Sequence, residues 1–200
     1  MTLVTSSFTV SWLSLDSWSE TYVGARWLID NVLPEKQYES SPEHGPISQM
    51  VLLASHHMNE VMLFSCLRNR IEELELPKSE IESRVNKLEK MGFYDAFTGW
   101  TNLVPGAKPF EYAAEPYISI DRLRLRRNAT IHKKSALASL EMARSALYTA
   151  VLGSQEMFQF FNADANFKYG AILKKYPPNK FPLFSEVVYP EDYYISYRNT

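Results

Sequence analysis

Cysteine and glycine are scarce in this chain. A single cysteine, Cys66, stands among 200 residues, so no disulfide can form within the chain. An unpaired cysteine suits a reducing compartment and predicts a cytoplasmic protein. The seven glycines form no glycine-rich loop that would cradle a phosphate, and no G-x-S-x-G sequence marks a nucleophilic serine. These absences exclude a disulfide-stapled secreted domain and the common nucleotide-binding loops.

Long apolar runs and a strong net charge are also missing. No segment approaches the roughly 18 apolar residues that a membrane-spanning helix requires. The first basic residue is Arg26, so the N-terminus lacks the charged start of a secretory signal. The net charge of −2 excludes a polycation that binds nucleic acid through its whole surface. We therefore expect no membrane partner, and any nucleic-acid binding must come from a local patch.

Apolar side chains at helical spacing dominate the middle of the sequence. They recur every three or four positions, which is the pattern of amphipathic helices. The periodic stretches are 46–74, 79–91, 117–125 and 135–161. Small side chains in the last stretch would let a neighbouring helix approach closely; they are Ala143, Ala146 and Ala150. The predicted fold class is all-α, a helical bundle of about four or five helices.

The bundle is expected to occupy residues 46–161 and to be flanked by less regular segments. Residues 1–45 are predicted to form an N-terminal arm, irregular or strand-like through residue 20, followed by a short helix over 21–33. Residues 162–200 are predicted to form a tail rich in tyrosine and proline, which packs on the bundle as irregular chain or short strands.

Local signals predict two further features. Ser79, with Glu82 three residues later, would cap the second helix through a capping box. Residues 93–116 carry two glycines and three prolines, which predicts a long loop. We interpret Trp100 and Tyr112 within it as packing residues, and stacking on unpaired bases is the alternative.

The main functional signal is a basic stretch between Asp121 and Lys134. Six cations face one acid there, and they are Arg122, Arg124, Arg126, Arg127, Lys133 and Lys134. On charge alone, a solvated helix face is the simpler interpretation. The pattern within the stretch favours chemistry, because Arg127 precedes His132 by five positions and Asn128 follows the arginine directly.

These three residue types suffice for cleavage of RNA without a metal. The 2′-hydroxyl of RNA can attack the adjacent phosphate when a group with a near-neutral pKa moves the proton, and histidine supplies one. Arginine suits the phosphate, because its planar guanidinium donates two parallel hydrogen bonds to phosphate oxygens. The Asn128 amide would hold the substrate or orient His132.

The segment Arg127–His132 resembles the catalytic motif of HEPN-type ribonucleases, in which an arginine precedes a histidine and is often followed by a polar residue. The resemblance covers roughly 46–161 and sets the motif at or near the start of a late helix. It implies a metal-independent endoribonuclease with His132 as general acid or base, Arg127 as phosphate ligand and Asn128 as positioning residue. The remaining cations would contact the RNA backbone, namely Arg122, Arg124, Arg126, Lys133 and Lys134.

The resemblance also implies partners. Five residues along a continuous helix turn through about 140°, so Arg127 and His132 would not share a face. Either the helix breaks between them or a second chain completes the site. Members of the resembled family join two motifs across a two-fold interface, which implies a homodimer that binds RNA. They commonly act as toxins or in phage defence, often beside a neutralising antitoxin or regulatory protein.

Other interpretations of the motif stay open. Asn128 could be a helix N-cap, and Arg127 could form a salt bridge to Glu60 or Glu141. His132 could be a surface residue without a role. At the level of function, the alternatives are a non-catalytic HEPN-like protein that binds RNA, a nucleotide or a partner, and an unrelated helical scaffold.

A second group of polar residues lies on the first long helix. His56, His57 and Glu60 have the i, i+3 and i, i+4 spacing that a metal site uses. No second Glu-x-x-His motif supplies matching ligands from another helix. We therefore interpret these histidines as core or interface residues, with secondary RNA contacts as the alternative. No cofactor and no metal site are expected.

Overall fold

Helices account for the regular structure of the chain. The computed structural model describes residues 17–33, 46–132, 138–163 and 165–187, with the backbone alone of His132. The helices are α1 (17–27, continued by a π-helical turn Leu28–Val32), α2 (Pro46–Glu72), α3 (Lys78–Glu89), α4 (Phe93–Gly99), α5 (Tyr117–His132), α6 (Leu140–Phe161) and α7 (Gly170–Lys175). No strand occurs in these ranges. The all-α prediction is confirmed, with seven helices where four or five were expected.

The α2–α6 pair forms the centre of the bundle. Ala143, Ala146 and Ala150 on α6 are completely buried, which confirms that small side chains on this helix serve close packing. Gly153 continues this face, and a Cβ atom built there would lie 2.8 Å from Ile120 Cδ1 of α5 and 3.0 Å from Asn59 Oδ1 of α2. Three helix backbones therefore converge at Gly153.

Helix α1 belongs to the same hydrophobic core as the bundle. Trp18 is completely buried, and its indole Nε1 donates a hydrogen bond to Ser154 Oγ of α6 at 2.9 Å. The indole also stacks on the Tyr169 ring at 4.5 Å. The prediction of irregular or strand-like chain through residue 20 is therefore wrong for residues 17–20. Because the preceding residues are rich in serine and threonine, periodicity alone did not reveal where the helix begins.

The segment 93–116 is more ordered than its glycines and prolines suggested. It begins with α4, followed by a 3₁₀ turn, Trp100–Asn102. Trp100 is 1 % exposed, and Tyr112 Oη donates to the Phe97 carbonyl at 2.8 Å. The prediction of one long loop is wrong at its start, and the interpretation of Trp100 and Tyr112 as packing residues is confirmed. A helix of seven residues is too short for an apolar period to reveal.

Several helix ends differ from the predicted ones. Helix α3 begins at Lys78 after Pro77, and no side-chain hydrogen bond caps it, so the Ser79 capping box is wrong. Helix α6 begins at Leu140, where Ser139 Oγ accepts a hydrogen bond from Met142 N at 2.9 Å. The Ser139 cap thus sets the start of α6. The apolar period, which extends back to residue 135, predicted an earlier start.

The C-terminal segment 165–187 packs on the bundle as a strap. It contains α7 and a 3₁₀ turn, Phe184–Glu186, and no strand, so of the two predicted alternatives irregular chain is the one found over these residues. Phe184 is completely buried, and its backbone N–H donates to Thr149 Oγ1 at 2.9 Å. Ser145 Oγ donates to the Pro182 carbonyl at 2.7 Å. None of the described helices is long and apolar enough to cross a membrane.

Replacement of Gly153 by alanine is expected to destabilise the fold. Alanine raises helix propensity by about 1 kcal/mol, but overpacking a full core costs about 1–3 kcal/mol. Ile120 is completely buried and has no room to withdraw. We expect Gly153→Ala to lower the free energy of unfolding by up to about 2 kcal/mol, measured by urea denaturation.

Gly24→Ala is the matched control, because a Cβ atom at this position on α1 would meet nothing within 4 Å. That variant should gain about 0.5–1 kcal/mol from the lower helix propensity of glycine. Equal stabilisation by both substitutions would contradict the close approach at Gly153.

Candidate functional site

The Arg/His motif lies in the last turns of α5. Helix α5 is continuous from Tyr117 to His132, so the expected position at the start of a late helix is wrong. A break between Arg127 and His132 is excluded as well, and the separation of about 140° stands. Asn128 is inside the helix, which excludes the N-cap interpretation. The His132 side chain, Lys133 and Lys134 lie outside the described residues.

The four arginines of α5 project in different directions. Arg122 Nη1 donates to the Ser185 carbonyl of the C-terminal strap at 2.6 Å. Arg124 forms an ion pair with Asp121 at 2.8 Å. Arg126 is 8 % exposed, so its side chain lies on the inner side of the helix. The described arginines therefore do not form one continuous basic patch.

Among the described residues, Arg127 is the α5 arginine that neither binds the C-terminal strap, nor pairs with a carboxylate, nor is buried. It is partly buried, and its Nη1 donates to the side-chain Oδ1 of the adjacent Asn128 at 3.1 Å. Among the described residues it forms no ion pair, so the predicted salt bridge to Glu60 or Glu141 is not made. Most of its five N–H donors are left for another acceptor.

Helices α2, α4 and α5 meet beside these arginines. The His56 ring of α2 packs against Phe93 at 4.8 Å between ring centroids. The Arg124 guanidinium lies over the neighbouring Tyr94 ring at 4.3 Å from its centroid. The first turn of α4 thus joins α2 to α5, and it sets the Tyr94 ring beside Arg124, one helical turn before Arg127.

His56 is a neutral histidine at physiological pH. It is 3 % exposed, and its Nε2 has no hydrogen-bond partner among the described residues. Burial lowers its pKa to about 4, with Glu60 opposing and the positive charges of Arg127, Arg124 and His57 adding to the shift. The interpretation of this residue as a core histidine is confirmed.

His57 and Glu60 form a more exposed pair on the same helix. His57 Nδ1 lies 3.8 Å from Glu60 Oε2, and the two side chains are 52 % and 37 % exposed. The neighbouring His57 lowers the pKa of Glu60, and the charge of Arg127 lowers it further against an opposing effect of burial. Arg127 therefore acts on Glu60 through its field.

The arrangement sets a guanidinium near a histidine and a carboxylate. Arg127 offers the planar donors that a phosphodiester accepts, and His57 and Glu60 lie side by side on α2. The structure relates Arg127 and Glu60 through their charges without a salt bridge between them. Sequence reasoning connected the two residues only as one possible salt bridge. It missed Tyr94 altogether, since an exposed aromatic residue on a seven-residue helix leaves no pattern.

The remaining reactive groups do not form a second site. No three His, Cys, Asp or Glu side chains gather into a metal-binding group anywhere in the described ranges. Cys66 is buried, and burial raises the pKa of its thiol to about 12, which leaves it inert as a nucleophile. A cavity of about 30 Å³ beside Tyr22, Arg26 and Arg144 has room for about one water molecule.

Comparisons with known proteins give no match: no family model, no curated protein and no solved structure matches the chain. The interpretation of the site therefore follows from its geometry and from the resemblance of its motif.

The buried His56 is expected to make stability depend on pH. Its pKa in the folded protein, about 4, lies below the ordinary value of 6.5, so folding favours the neutral form. This contribution is fully present above pH 6.5 and is lost as the pH falls toward 4. The difference corresponds to about 3 kcal/mol in the free energy of unfolding, at about 1.4 kcal/mol per pKa unit.

The measurement is urea denaturation at pH 6.5 and pH 4.5, with His56→Leu beside the wild type. Because the variant keeps all carboxylates but lacks the buried imidazole, it should lose markedly less stability between the two pH values. Equal losses in the two proteins would show that His56 is charged in the folded state or solvated.

Proposed function

We propose that this chain is a metal-independent endoribonuclease of HEPN type in which Arg127, Asn128 and His132 act on RNA. The observation that carries the proposal is the state of Arg127: its guanidinium donates a hydrogen bond to Asn128 Oδ1 at 3.1 Å and forms no ion pair with any residue that the structure describes. Arg124, by contrast, is already paired with Asp121. A partly buried guanidinium with unused donors is suited to a phosphate.

The proposed reaction uses the 2′-hydroxyl of RNA as nucleophile. His132 or a second base accepts the proton of this hydroxyl while its oxygen attacks the adjacent phosphorus. The bond from phosphorus to the 5′-oxygen breaks, and the leaving oxygen receives a proton from a general acid. Arg127 stabilises the negative charge that develops on the phosphoryl oxygens, and the products are a 2′,3′-cyclic phosphate and a 5′-hydroxyl.

The outer face of α5 supports a pair of chains. Positions 127 and 132 are separated by about 140° around the axis of the continuous helix. Arg127 and His132 of the same chain are therefore not directed at one phosphate. Leu125 and Ile131 are 51 % and 48 % exposed and lie on either side of Asn128 on the outward side of the helix. A two-fold contact through these apolar residues would bring Arg127 of one protomer toward His132 of its partner.

Two further aspects of the proposal rest on the resemblance and on composition. The cytoplasm is the proposed compartment, because RNA is available there and the chain has a single, buried thiol. A role as toxin or phage-defence effector, silenced by an antitoxin or regulatory protein, is implied by the resemblance alone.

A non-catalytic protein of the same fold that binds a nucleotide or a short RNA is the second candidate function. The dispersal of the arginines favours it, because Arg122 holds the C-terminal strap, Arg124 is paired and Arg126 is buried. Few cations are then left to bind a long RNA through its backbone, and a narrow site for one or two phosphates remains.

Cleavage in the presence of EDTA tests the proposal. Purified protein is incubated with a pool of single-stranded and structured RNA, beside Arg127→Ala, His132→Ala and Arg70→Ala. The control Arg70 is an exposed arginine of α2 that pairs with Glu73. We expect the cleavage rate of the first two variants to fall by at least about 100-fold, because each lacks a side chain that acts on the transition state. The Arg70→Ala control should keep its activity.

Cleavage that survives both Arg127→Ala and His132→Ala would contradict the proposed site. RNA binding without cleavage, abolished by Arg127→Ala, would establish the second candidate.

The proposed dimer predicts a change in mass when the outer face of α5 becomes charged. Leu125→Asp and Ile131→Asp should convert a dimer into a monomer, because each buries a carboxylate in an apolar contact. Met50→Asp is the control, since Met50 is 55 % exposed on α2. Analytical ultracentrifugation reports the mass, and a wild type that is monomeric at all concentrations would contradict the prediction.

A further inference from the structure

Tyr94 is an exposed aromatic residue at the edge of the candidate site. Half of its side chain is exposed, whereas Phe93 and Phe97 on the same short helix are buried in the core. Among the described residues the Tyr94 hydroxyl makes no hydrogen bond. The ring is therefore held at the surface without a role in the core.

The orientation of the Tyr94 ring is fixed by Arg124. The guanidinium lies 4.3 Å from the ring centroid and is itself held by Asp121 at 2.8 Å. The Arg124 side chain is 14 % exposed, so the surrounding helices restrain it as well. A ring that is preorganised in this way loses little conformational freedom when a ligand stacks on it.

The position of the ring relates it to the phosphate ligand. Arg124 and Arg127 are one helical turn apart on α5, a rise of about 4.5 Å. Residues three positions apart are neighbours on a helix surface, and Arg124 is the arginine that contacts the Tyr94 ring. A nucleotide whose phosphate binds Arg127 would thus carry a base within reach of Tyr94.

We propose that Tyr94, supported by Arg124, is a stacking platform for an unpaired base, so that the site selects single-stranded RNA. The proposal rests on the proposed function, since it assumes that Arg127 binds an RNA phosphate. Stacking needs an exposed base face, which a base-paired strand keeps inside the helix. Every base has such a face, so the platform selects strandedness without reading sequence.

Binding of a non-cleavable RNA tests the platform. A fluorescein-labelled 2′-O-methyl RNA of mixed sequence is titrated with full-length protein in EDTA, as a single strand and as a duplex, and fluorescence anisotropy gives Kd. The variants are Tyr94→Ala, Tyr94→Phe and Arg127→Ala. The control is Trp27→Ala, which removes an aromatic side chain that is 58 % exposed on α1.

Tyr94→Ala should weaken binding of the single strand by about 5- to 100-fold, the effect of losing one stacked base. It should leave duplex binding unchanged. Tyr94→Phe keeps the ring and should bind like the wild type, as should Trp27→Ala. Thermal denaturation of each variant confirms that the fold is retained.

Two results would overturn the platform, and they differ in what else they exclude. If Tyr94→Ala binds the single strand like the wild type while Arg127→Ala binds weakly, the platform is wrong but the phosphate site stands. If the wild type binds neither RNA, the proposed function is overturned together with the platform.

Discussion

The close approach of α2, α5 and α6 at Gly153 is the constraint on which the rest of the arrangement depends. The absence of a side chain at this position lets Ile120 and Asn59 occupy the space where a Cβ would stand. Completely buried alanines on the same face of α6 keep the helix next to α2. The close packing of the three helices sets the distance between Arg127 on α5 and Glu60 on α2. That distance determines how strongly the two charges interact.

The core of the fold was readable from the sequence, because long amphipathic helices leave a period that short elements do not. The stretches for α2 and α6 were found, and so were the small residues of α6. Helix α4 and the start of α1 were missed, since seven residues or a polar flank carry no clear period. The start of α6 is set by the Ser139 cap and that of α3 follows Pro77 without a side-chain cap, and the apolar period predicted neither start.

The candidate site was only partly predictable. The sequence marked Arg127, Asn128 and His132 by their spacing, but periodicity does not reveal that α5 runs unbroken through them. The same stretch appeared as one basic patch because the order of residues in a sequence does not show in which direction each side chain leaves the helix. Around a helix, four arginines within six positions project to the strap, to Asp121, to the core and toward α2. Only the assembled bundle shows that a single guanidinium among them is left for a ligand.

The burial of Trp18 and Phe184 has a consequence for the chain during synthesis. The hydrogen-bond acceptor of Trp18, Ser154, lies 136 residues later in the chain. Phe184 completes a hydrophobic cluster with residues of α2, α5 and α6. In a nascent chain Trp18 therefore stays exposed until α6 has been synthesised. The hydrophobic cluster beneath Phe184 stays exposed until the strap has been synthesised as well. Transiently exposed apolar surface is prone to aggregation, and here it is covered only after residues 165–187 have been synthesised.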